Sequence, residues 1–433
     1  MRNKMTLTTK LLFPLFLLFA ALFAASANAQ LTIEITTQAG KQFPIAIVPF
    51  ANENTLPQAA TQIISADLAR SGLFRIIDSG GVSPLPTEPS EINYVDWRNR
   101  AADAIVIGGV RPLDNGQIEV RFRLMDAVKQ TQITGAALTA PAAQLRATAH
   151  KIADIIYEKL TGDKGVFATR IAYVVKQGPR YQLQVSDADG FGAQTVLTSN
   201  EPLLSPAWSP DGTQLAYVSF ESKRSTVVVQ NLATGARRTV ANFRGNNSAP
   251  AWSADGKSIA VALSKDNISQ LYLVSAAGGD ATRITNSSGI DTEPSFSPDG
   301  KWIAFLSDRG GSAQLYKMPA TGGDAQRLSF SGTYNVSPDW SPDGKSIAFI
   351  QREGGKFRVA VLELDTGQTQ VLTDSALDES PSFAPNGKVI LYATQVGGRG
   401  VLSTVSSDGR VKVRLTTANG DIREPAWGPY PKN

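Results

Sequence analysis

The stretch EPSFSPDGKWIAFLSDRGG, residues 293–311, joins two strand-like runs by a turn, and it decides the fold because it recurs along the chain. Variants of its P-x-F-S-P-D-G core, with Trp or Phe as the aromatic residue, begin at prolines separated by 43 or 44 residues. A constant period of this length is typical of a repeat architecture. The repeated prolines are Pro206, Pro250, Pro294, Pro338, Pro381 and Pro425.

Each repeat predicts four short β-strands. In the repeat at Pro294 an aromatic residue meets the Ser-Pro-Asp-Gly turn, and further β-rich runs start at Ile303, Gln314 and Arg327. Proline fixes φ in such a turn, Asp bonds its own backbone, and Gly accepts positive φ. Because no repeat contains a long apolar helical period, the pattern favours the blades of a β-propeller over a helical solenoid.

The number of repeats predicts six blades. Five repeats contain all four runs, whereas the repeat at Pro425 stops after its first run because the chain ends at Asn433. The three missing runs precede the first full repeat and start at Arg170, Tyr181 and Gln194. We therefore expect the sixth blade to be split between the two ends of the domain, an arrangement that hides sheet edges.

The predicted fold class is two-domain, with a small α/β N-terminal domain followed by a six-bladed all-β propeller. We expect the α/β domain at residues 30–163 and the propeller at residues 164–433. The first part lacks the repeat and mixes strand-like runs with amphipathic helices. Strands are predicted from Phe43, Phe74, Ala104, Ile118 and Gln130, and helices from Pro57, Val95 and Ala142.

Residues 1–29 have the pattern of a cleaved secretory signal. Basic residues precede an apolar run at residues 11–25, and Ala27-Asn28-Ala29 fits the small-x-small cleavage pattern. An uncleaved anchor is the alternative, but the run is shorter than the roughly 20 residues that span a bilayer. We expect export of a mature chain that begins at Gln30.

Composition restricts the chemistry. The chain has no Cys and a single His, His150, which leaves no thiol chemistry and no His-rich metal site. Lys and Arg number 42 and Asp and Glu 38; without the three basic residues of the leader, the ratio is 39 to 38. A nearly neutral chain gives no electrostatic reason to expect nucleic acid or anionic membrane as a partner.

No catalytic constellation emerges, so the sequence predicts neither an enzyme nor a cofactor nor a metal site. The run Asp187-Ala188-Asp189-Gly190 faintly resembles a calcium loop, but it lacks the distal Glu and falls where the split blade needs a turn. His150 lies in the last predicted helix of the α/β domain. A structural role on the helix surface, or partly buried, is expected for it.

The loops that enter the first strand of each blade lie at one mouth of the central channel. The turns recur almost unchanged, as a structural role requires, whereas the residues just before each repeated proline vary. Acidic and amide groups there suit a peptide or protein ligand with basic and polar groups. The predicted mouth residues are Asn246, Asn247, Ser248, Asp291, Thr292, Glu293, Asn335, Asp378, Glu379 and Glu424.

The segment QLTIEITTQ, residues 30–38, alternates apolar Leu31, Ile33 and Ile35 with polar residues such as Glu34. Two interpretations stay open. The segment is an edge strand of the domain that follows it, or it is a strand offered to a partner by β-augmentation.

Together these features resemble the TolB family, the periplasmic proteins of the Tol–Pal cell-envelope system. The resemblance covers the whole mature chain: a leader, an α/β domain, and six repeats with IAF and QLY runs. Prolyl-oligopeptidase-type enzymes carry similar propellers, but they add a Ser hydrolase domain that this sequence lacks. The TEP run at Thr292 and LDESPSFAPNG at Leu377 add to the match.

The resemblance implies an adaptor in the periplasm. The propeller mouth would bind Pal, the peptidoglycan-associated lipoprotein, and the mature N-terminus would bind TolA, in support of outer-membrane integrity and envelope constriction at division. Some colicins would use the same mouth, and we expect a monomer held at the outer membrane through Pal. A propeller hydrolase that uses rim carboxylates and a small-ligand sensor are the alternatives.

The family's Pal-binding positions match four residues here, with Asn246 in place of a family His: Asn246, Ala249, Thr292 and Glu293. The TolA-binding segment maps onto Gln30, Leu31, Ile33, Glu34 and Ile35.

Overall fold

The computed structural model describes residues 32–35, 42–415 and 420–432. The predicted leader, Gln30, Leu31 and residues 36–38 therefore lie outside the described residues. Within the described ranges, no helix has the length and apolar character needed to cross a membrane. The first element is a short strand, β1 (Thr32–Ile35).

An α/β domain follows β1. Its elements are β2 (Phe43–Ile47), α1 (Ala60–Arg70), β3 (Phe74–Ile77), α2 (Tyr94–Asn99), β4 (Ala104–Pro112), β5 (Gln117–Asp126), β6 (Thr131–Pro141) and α3 (Leu145–Thr161). The sheet has the order β3-β2-β4-β5-β6, with β2 parallel to both of its neighbours and the remaining pairs antiparallel. Every strand and helix that the sequence predicted in this region is present.

Two apolar cores flank this sheet. On one side, Ile64 and Leu68 of α1 pack with Ile152 and Ile156 of α3, whereas Trp97 of α2 belongs to a second core. The apolar spacing of the helix predicted from Pro57 places Leu73 on the same face as Ile64 and Leu68. That assignment is wrong, because α1 ends at Arg70 and the side chain of Leu73 is exposed.

The remaining strands form a six-bladed propeller. Its strands before the first repeat are β7 (Arg170–Gln177), β8 (Arg180–Asp187) and β9 (Gln194–Ser199). Blades 1 and 2 contain β10 (Leu203–Trp208), β11 (Gln214–Ser219), β12 (Thr226–Asn231), β13 (Arg237–Ala241), β14 (Asn247–Trp252), β15 (Ser258–Leu263), β16 (Gln270–Ser275) and β17 (Ala281–Arg283). Blades 3 and 4 contain β18 (Asp291–Phe296), β19 (Trp302–Ser307), β20 (Gln314–Pro319), β21 (Gln326–Arg327), β22 (Tyr334–Trp340), β23 (Ser346–Glu353), β24 (Lys356–Glu363) and β25 (Thr369–Val371).

Blade 5 contains β26 (Glu379–Phe383), β27 (Val389–Val396), β28 (Arg399–Ser406) and β29 (Val411–Arg414), and β30 (Asp421–Trp427) follows. Blade 6 has the order β30-β7-β8-β9, so its innermost strand comes from the end of the chain. The predicted split blade is confirmed.

Blade 5 gains a fifth strand from the N-terminus. Strand β1 pairs antiparallel with the outer strand β29, with Thr32 opposite Arg414 and Ile35 opposite Val411. The interpretation of this segment as an edge strand of the domain that follows it is therefore wrong. Strand β1 takes the outer edge of a propeller blade and is not part of the α/β sheet.

The repeated turn is built as the sequence predicted. In blade 3 the carboxylate of Asp299 accepts hydrogen bonds from the Ser297 hydroxyl at 2.6 Å and from the Lys301 backbone N–H at 3.1 Å. Gly300 has a φ of 69°, a conformation that favours glycine. The aromatic residues before the turn pack between blades, and the indole N–H of Trp252 donates to the carbonyl of Ala207 in blade 1.

The two ends of the propeller differ in what they contact. The α/β domain packs against the end that carries the Ser-Pro-Asp-Gly turns, where Asn386 of blade 5 donates to the carbonyl of Lys164 at 3.0 Å. Because successive strands reverse direction, the loops that enter the inner strands lie at the opposite end. The predicted mouth is thus on the face of the propeller away from the α/β domain.

Candidate functional site: the channel mouth and its throat

A β-bulge interrupts the inner strand of every blade. In blade 3 the pairing between β18 and β19 shifts between Thr292 and Ser295, around the repeated proline. The residue before that proline is in the left-handed region in all six blades, with φ from 49° to 56°: Ser205, Ala249, Glu293, Ser337, Ser380 and Glu424. Residues other than glycine rarely adopt this conformation, and bulges commonly redirect side chains at binding sites.

These bulges line a central cavity of about 520 Å³, which we call the throat. All six inner strands contribute to it. Four carboxylates face the throat, and the guanidinium of Arg423 lies 3.0 Å from one of them, that of Glu379. The throat therefore carries an excess of negative charge. Its carboxylates are Glu293, Asp339, Glu379 and Glu424.

The throat carboxylates have few partners for their charge. Burial raises the pKa of Asp339 to about 7, although the backbone N–H of Phe383 donates to it at 2.7 Å. Burial, with the neighbouring Glu379, raises the pKa of Glu424 to about 7. Burial also raises the pKa of Glu293, which accepts the Ser337 backbone N–H at 2.6 Å. Ionised carboxylates in the throat therefore lower the stability of the folded chain while no ligand is bound.

Four of the predicted mouth residues are buried and hold loops in place. The side-chain amide of Asn247 donates to the carbonyl of Phe243, and both carboxylate oxygens of Asp291 lie 2.9 Å from Arg309. The expectation that these four side chains present themselves to a ligand does not hold, because their groups are used within the protein. They occupy one position, three residues before the repeated proline: Asn247, Asp291, Asn335 and Asp378.

The other predicted mouth residues are reachable. Asn246 is exposed, and its amide group bonds the hydroxyls of Ser225 and Ser248. Thr292 and Ala249 are half-buried beside the bulges. Glu293, Glu379 and Glu424, described above, face the throat itself.

Sequence reasoning missed Asp339, Arg423 and the bulges. One signal was available: the position after the repeated proline holds Ala or Ser in five blades and Asp only in blade 4. No such signal marks the bulges, because their left-handed residues are not glycines.

A second charged cluster joins the α/β domain to blade 6, and we call it the seam cluster. Arg146 of α3 lies 3.0 Å from Asp187 and also contacts Asp189, both in the turn after β8. Arg70 of α1 lies 2.9 Å from Asp67 and 3.7 Å from Asp189. The run at 187–190 is a turn, as predicted, and its carboxylates tie the domains together.

His150 is the centre of the seam cluster, and the expected surface or partly buried position is wrong. Its side chain is fully buried, with Nδ1 2.6 Å from Asp67 and Nε2 3.6 Å from Asp187. Burial alone lowers the pKa of His150, but the carboxylates of Asp187 and Asp67 outweigh it and raise the pKa to about 9. The imidazole is therefore protonated at neutral pH.

Three seam groups, those of Asp67, His150 and Asp189, come within 4.8 Å of one another, as metal ligands would. The fit to a metal ion is poor. Arg70 and Arg146 already supply positive charge to the same carboxylates, and a protonated imidazole has no lone pair to offer.

Comparison with known proteins identifies relatives along nearly the whole chain. Two family models match, the TolB amino-terminal domain at residues 31–133 and the TolB beta propeller domain at residues 157–431. The Tol-Pal system protein TolB of Thiobacillus denitrificans is 68% identical over 405 residues, covering 93% of this chain and 95% of that protein. The corresponding protein of Methylobacillus flagellatus is 59% identical over 417 residues, covering 96% of each.

Comparison with solved structures also finds similarity to a TolB protein. The crystal structure of TolB from Acinetobacter baumannii aligns with a TM-score of 0.85 and 41% identity, covering 93% of this chain and 100% of that chain. A chain from a nidogen/laminin complex aligns with a TM-score of 0.51 at 8% identity, which reflects the fold alone.

Proposed function

Because the chain belongs to the TolB family and so is a component of the Tol–Pal cell-envelope system, we propose that it is a periplasmic adaptor that binds Pal at the propeller mouth and TolA through its mature N-terminus. By connecting Pal with TolA, the adaptor supports outer-membrane integrity and envelope constriction at cell division. Colicins are a further class of ligand for the same mouth. The protein acts as a monomer, held at the outer membrane through Pal.

The unbalanced charge of the throat is the observation that supports the mouth as the Pal site. Glu293 and Glu424 adopt left-handed backbone conformations beside the channel, where burial raises the pKa of each. A basic or amide group of a partner that enters the throat would relieve this cost. The mouth also faces away from the α/β domain, which leaves room for a folded protein.

The pairing of β1 supports the N-terminal segment as the TolA site. Backbone hydrogen bonds between β1 and β29 hold this strand at a sheet edge, and a partner strand would use the same kind of bond. Release from β29 and capture by TolA are then competing states. If Pal occupancy changes that balance, linkage requires TolA to change Pal affinity by the same factor.

Titration calorimetry of the mature chain with the soluble domain of the organism's own Pal tests the mouth. Saturable binding is expected, weakened about tenfold or more by Glu293→Ala and by Asn246→Ala. Asp299→Ala is the matched control, because this acid lies in an exposed turn at the opposite end of the channel. The absence of binding by the folded wild-type chain would overturn the proposal for Pal.

Deletion of residues 30–38 tests the second site. The shortened mature chain is expected to lose binding to the soluble domain of TolA and to retain binding to Pal. Unchanged affinity for both partners would show that the segment is not the TolA site.

A hydrolase acting in the throat is the second candidate function. Asp339 and Glu424 line one cavity, and burial raises the pKa of each to about 7, where proton transfer by a carboxyl group is efficient. Turnover of peptides, muropeptides or glycans that Glu424→Gln abolishes would favour this function over the adaptor. No turnover together with Pal binding would exclude it for those substrates.

A further inference from the structure

In addition to its acidic and amide groups, the mouth carries exposed apolar side chains. Phe330, in the loop between β21 and β22, is 78% exposed, and Ile290 and Leu377 are each 44% exposed. Single exposed apolar residues are ordinary on a protein surface, but a group along one rim indicates an interaction site. We call the group the crescent; it consists of Ile268, Ile290, Phe330, Tyr334 and Leu377.

The loops of the crescent are tied to one another across neighbouring blades. The backbone N–H of Asp291, next to Ile290, donates to the carbonyl of Ser269, next to Ile268, at 2.9 Å. Farther along, the Asp378 N–H donates to the carbonyl of Phe357, and the ring of Phe357 meets that of Tyr334 edge-on with centroids 6.3 Å apart. Between these two pairs of loops, the Asn335 N–H, next to Tyr334, donates to the carbonyl of Ala313 in blade 3 at 2.9 Å, so neighbouring loops are linked from blade 2 to blade 5.

The cations near the crescent lie against its aromatic rings and hold these rings in place. The guanidinium of Arg327 lies 5.3 Å from the ring centroid of Phe330, and its Nε donates to the carbonyl of Ser329 at 2.7 Å. Arg352 lies 5.4 Å from the ring of Phe357. An exposed ring held in this way loses little conformational freedom when a partner covers it, which favours binding.

The rest of the rim has a different character. Around blades 6 and 1, Lys223 pairs with Glu201, and Arg423 pairs with Asp421 as well as with Glu379. Among the described residues, the mouth loops of blades 6 and 1 add one exposed large apolar side chain, Leu204. The mouth is therefore asymmetric, with an apolar side, a charged side and an acidic throat between them.

We infer that the crescent is the hydrophobic anchor of the mouth, and that its partner is a folded protein that presents an apolar patch beside a basic or amide-bearing loop. The loop enters the acidic throat while the patch covers the crescent. Interfaces of this kind obtain most of their binding energy from a few aromatic and aliphatic anchors, with polar groups setting orientation and specificity. The inference rests on the proposed function, in which this partner is Pal.

The test compares Phe330→Ala and Leu377→Ala with a matched control, Trp302→Ala, by calorimetry with the soluble domain of Pal. Trp302 is also an exposed aromatic residue under a cation, with Lys317 5.2 Å from its ring, but it begins β19 at the turn end of blade 3. We expect about a tenfold loss for Phe330→Ala, a smaller loss for Leu377→Ala, and less than about a twofold change for the control. Because these side chains are exposed, all three variants should fold, which urea unfolding verifies.

The salt dependence of binding distinguishes the contribution of the crescent from that of the throat. The loss caused by Phe330→Ala should be the same at low and high ionic strength, whereas the loss caused by Glu293→Ala should shrink as salt screens the charge. Crescent variants that bind as tightly as wild type, while Glu293→Ala weakens binding, would overturn the inference and leave the Pal site intact. Failure of the wild-type chain to bind would overturn the proposed function itself.

Discussion

The seam cluster and the throat both gather carboxylates, but only the seam cluster balances them. In the seam, three acids face three cations; in the throat, four acids face one. A buried charge that keeps its partners is tolerated, and one without partners lowers stability. The difference indicates that the seam charges hold the domains together, while the unbalanced throat charges lower stability, as expected if the throat binds the ligand of the proposed function. The seam groups are Asp67, Asp187, Asp189, Arg70, Arg146 and His150.

The largest effect is expected from Arg146→Ala. The side chain of Arg146 is 17% exposed, contacts both Asp187 and Asp189, and lies 3.9 Å from the ring centroid of Phe191. Its loss leaves two carboxylates of the seam short of positive charge, so the free energy of unfolding should fall by about 3–5 kcal/mol. Urea unfolding of the mature chain at neutral pH measures this change.

Arg111→Ala is the control for this prediction. Arg111 also pairs with a carboxylate, that of Glu119 at 3.4 Å, but its side chain is 67% exposed, and such pairs contribute under about 1 kcal/mol. Equal losses for the two variants would contradict the view that the seam charges hold the domains.

His150 should make the stability of the seam depend on pH. Its pKa of about 9 in the folded chain lies above the ordinary value of 6.5, so the folded state binds its proton more tightly than the unfolded state. The resulting stabilisation is complete below about pH 6.5 and is lost as the pH rises through 9; it amounts to roughly 3 kcal/mol. In His150→Gln this loss between pH 6.5 and 9 should be absent.

Two measurements check the role of His150. Urea unfolding from pH 6 to 9.5 compares the wild-type chain with His150→Gln. Because His150 is the only histidine, its imidazole signals in NMR report its titration without overlap. A titration midpoint near 6.5 would contradict the arrangement seen at the seam.

The sequence predicted the repeating part of the fold and missed what depends on contact between distant segments. The proline period and the turn residues of the blades are local signals, and they were enough to predict six blades and the split blade. The seam cluster brings Asp67, His150 and Asp187 together from three separate elements, and each of them looks ordinary in its own segment. The pairing of β1 with β29 is equally non-local.

For the candidate site, the sequence predicted which loops lie at the channel mouth but not which of their side chains are accessible there. The position three residues before the repeated proline is polar in blades 2 to 5, which suggested a ligand site. These side chains are buried because loop backbone needs hydrogen-bond partners away from water, as Asn247 and Asn335 show. A pattern of polar residues does not distinguish the two roles.

Asp339→Asn should raise the stability of the folded chain, whereas the seam variants lower it. The pKa of Asp339 is raised to about 7 by burial, so the folded state keeps a proton that the unfolded state loses from about pH 4 upward. Ionisation of this group therefore costs stability as the pH rises from 4 to 7, and the cost is constant above 7. The variant, whose amide oxygen still accepts the Phe383 N–H, should be more stable by about 1–2 kcal/mol at pH 8.

Measurement at two pH values makes the Asp339 prediction specific. The gain in urea midpoint should be clear at pH 8 and absent at pH 4, where both side chains are neutral. Lower stability of the variant at pH 8 would mean that the carboxylate has a partner in the throat that balances its charge.

The smallest effect is expected from Arg423→Ala, the counterpart of Arg146→Ala in the throat. Arg423 also holds two carboxylates, those of Glu379 at 3.0 Å and Asp421 at 3.2 Å, but its side chain is 37% exposed. Solvent screens this pair, so the free energy of unfolding should change by less than about 1 kcal/mol, measured in the same urea experiment as Arg146→Ala. With the number of carboxylate contacts matched, a loss as large as that of Arg146→Ala would show that the throat, like the seam, is a structural charge network, and that its acids are not held for a ligand.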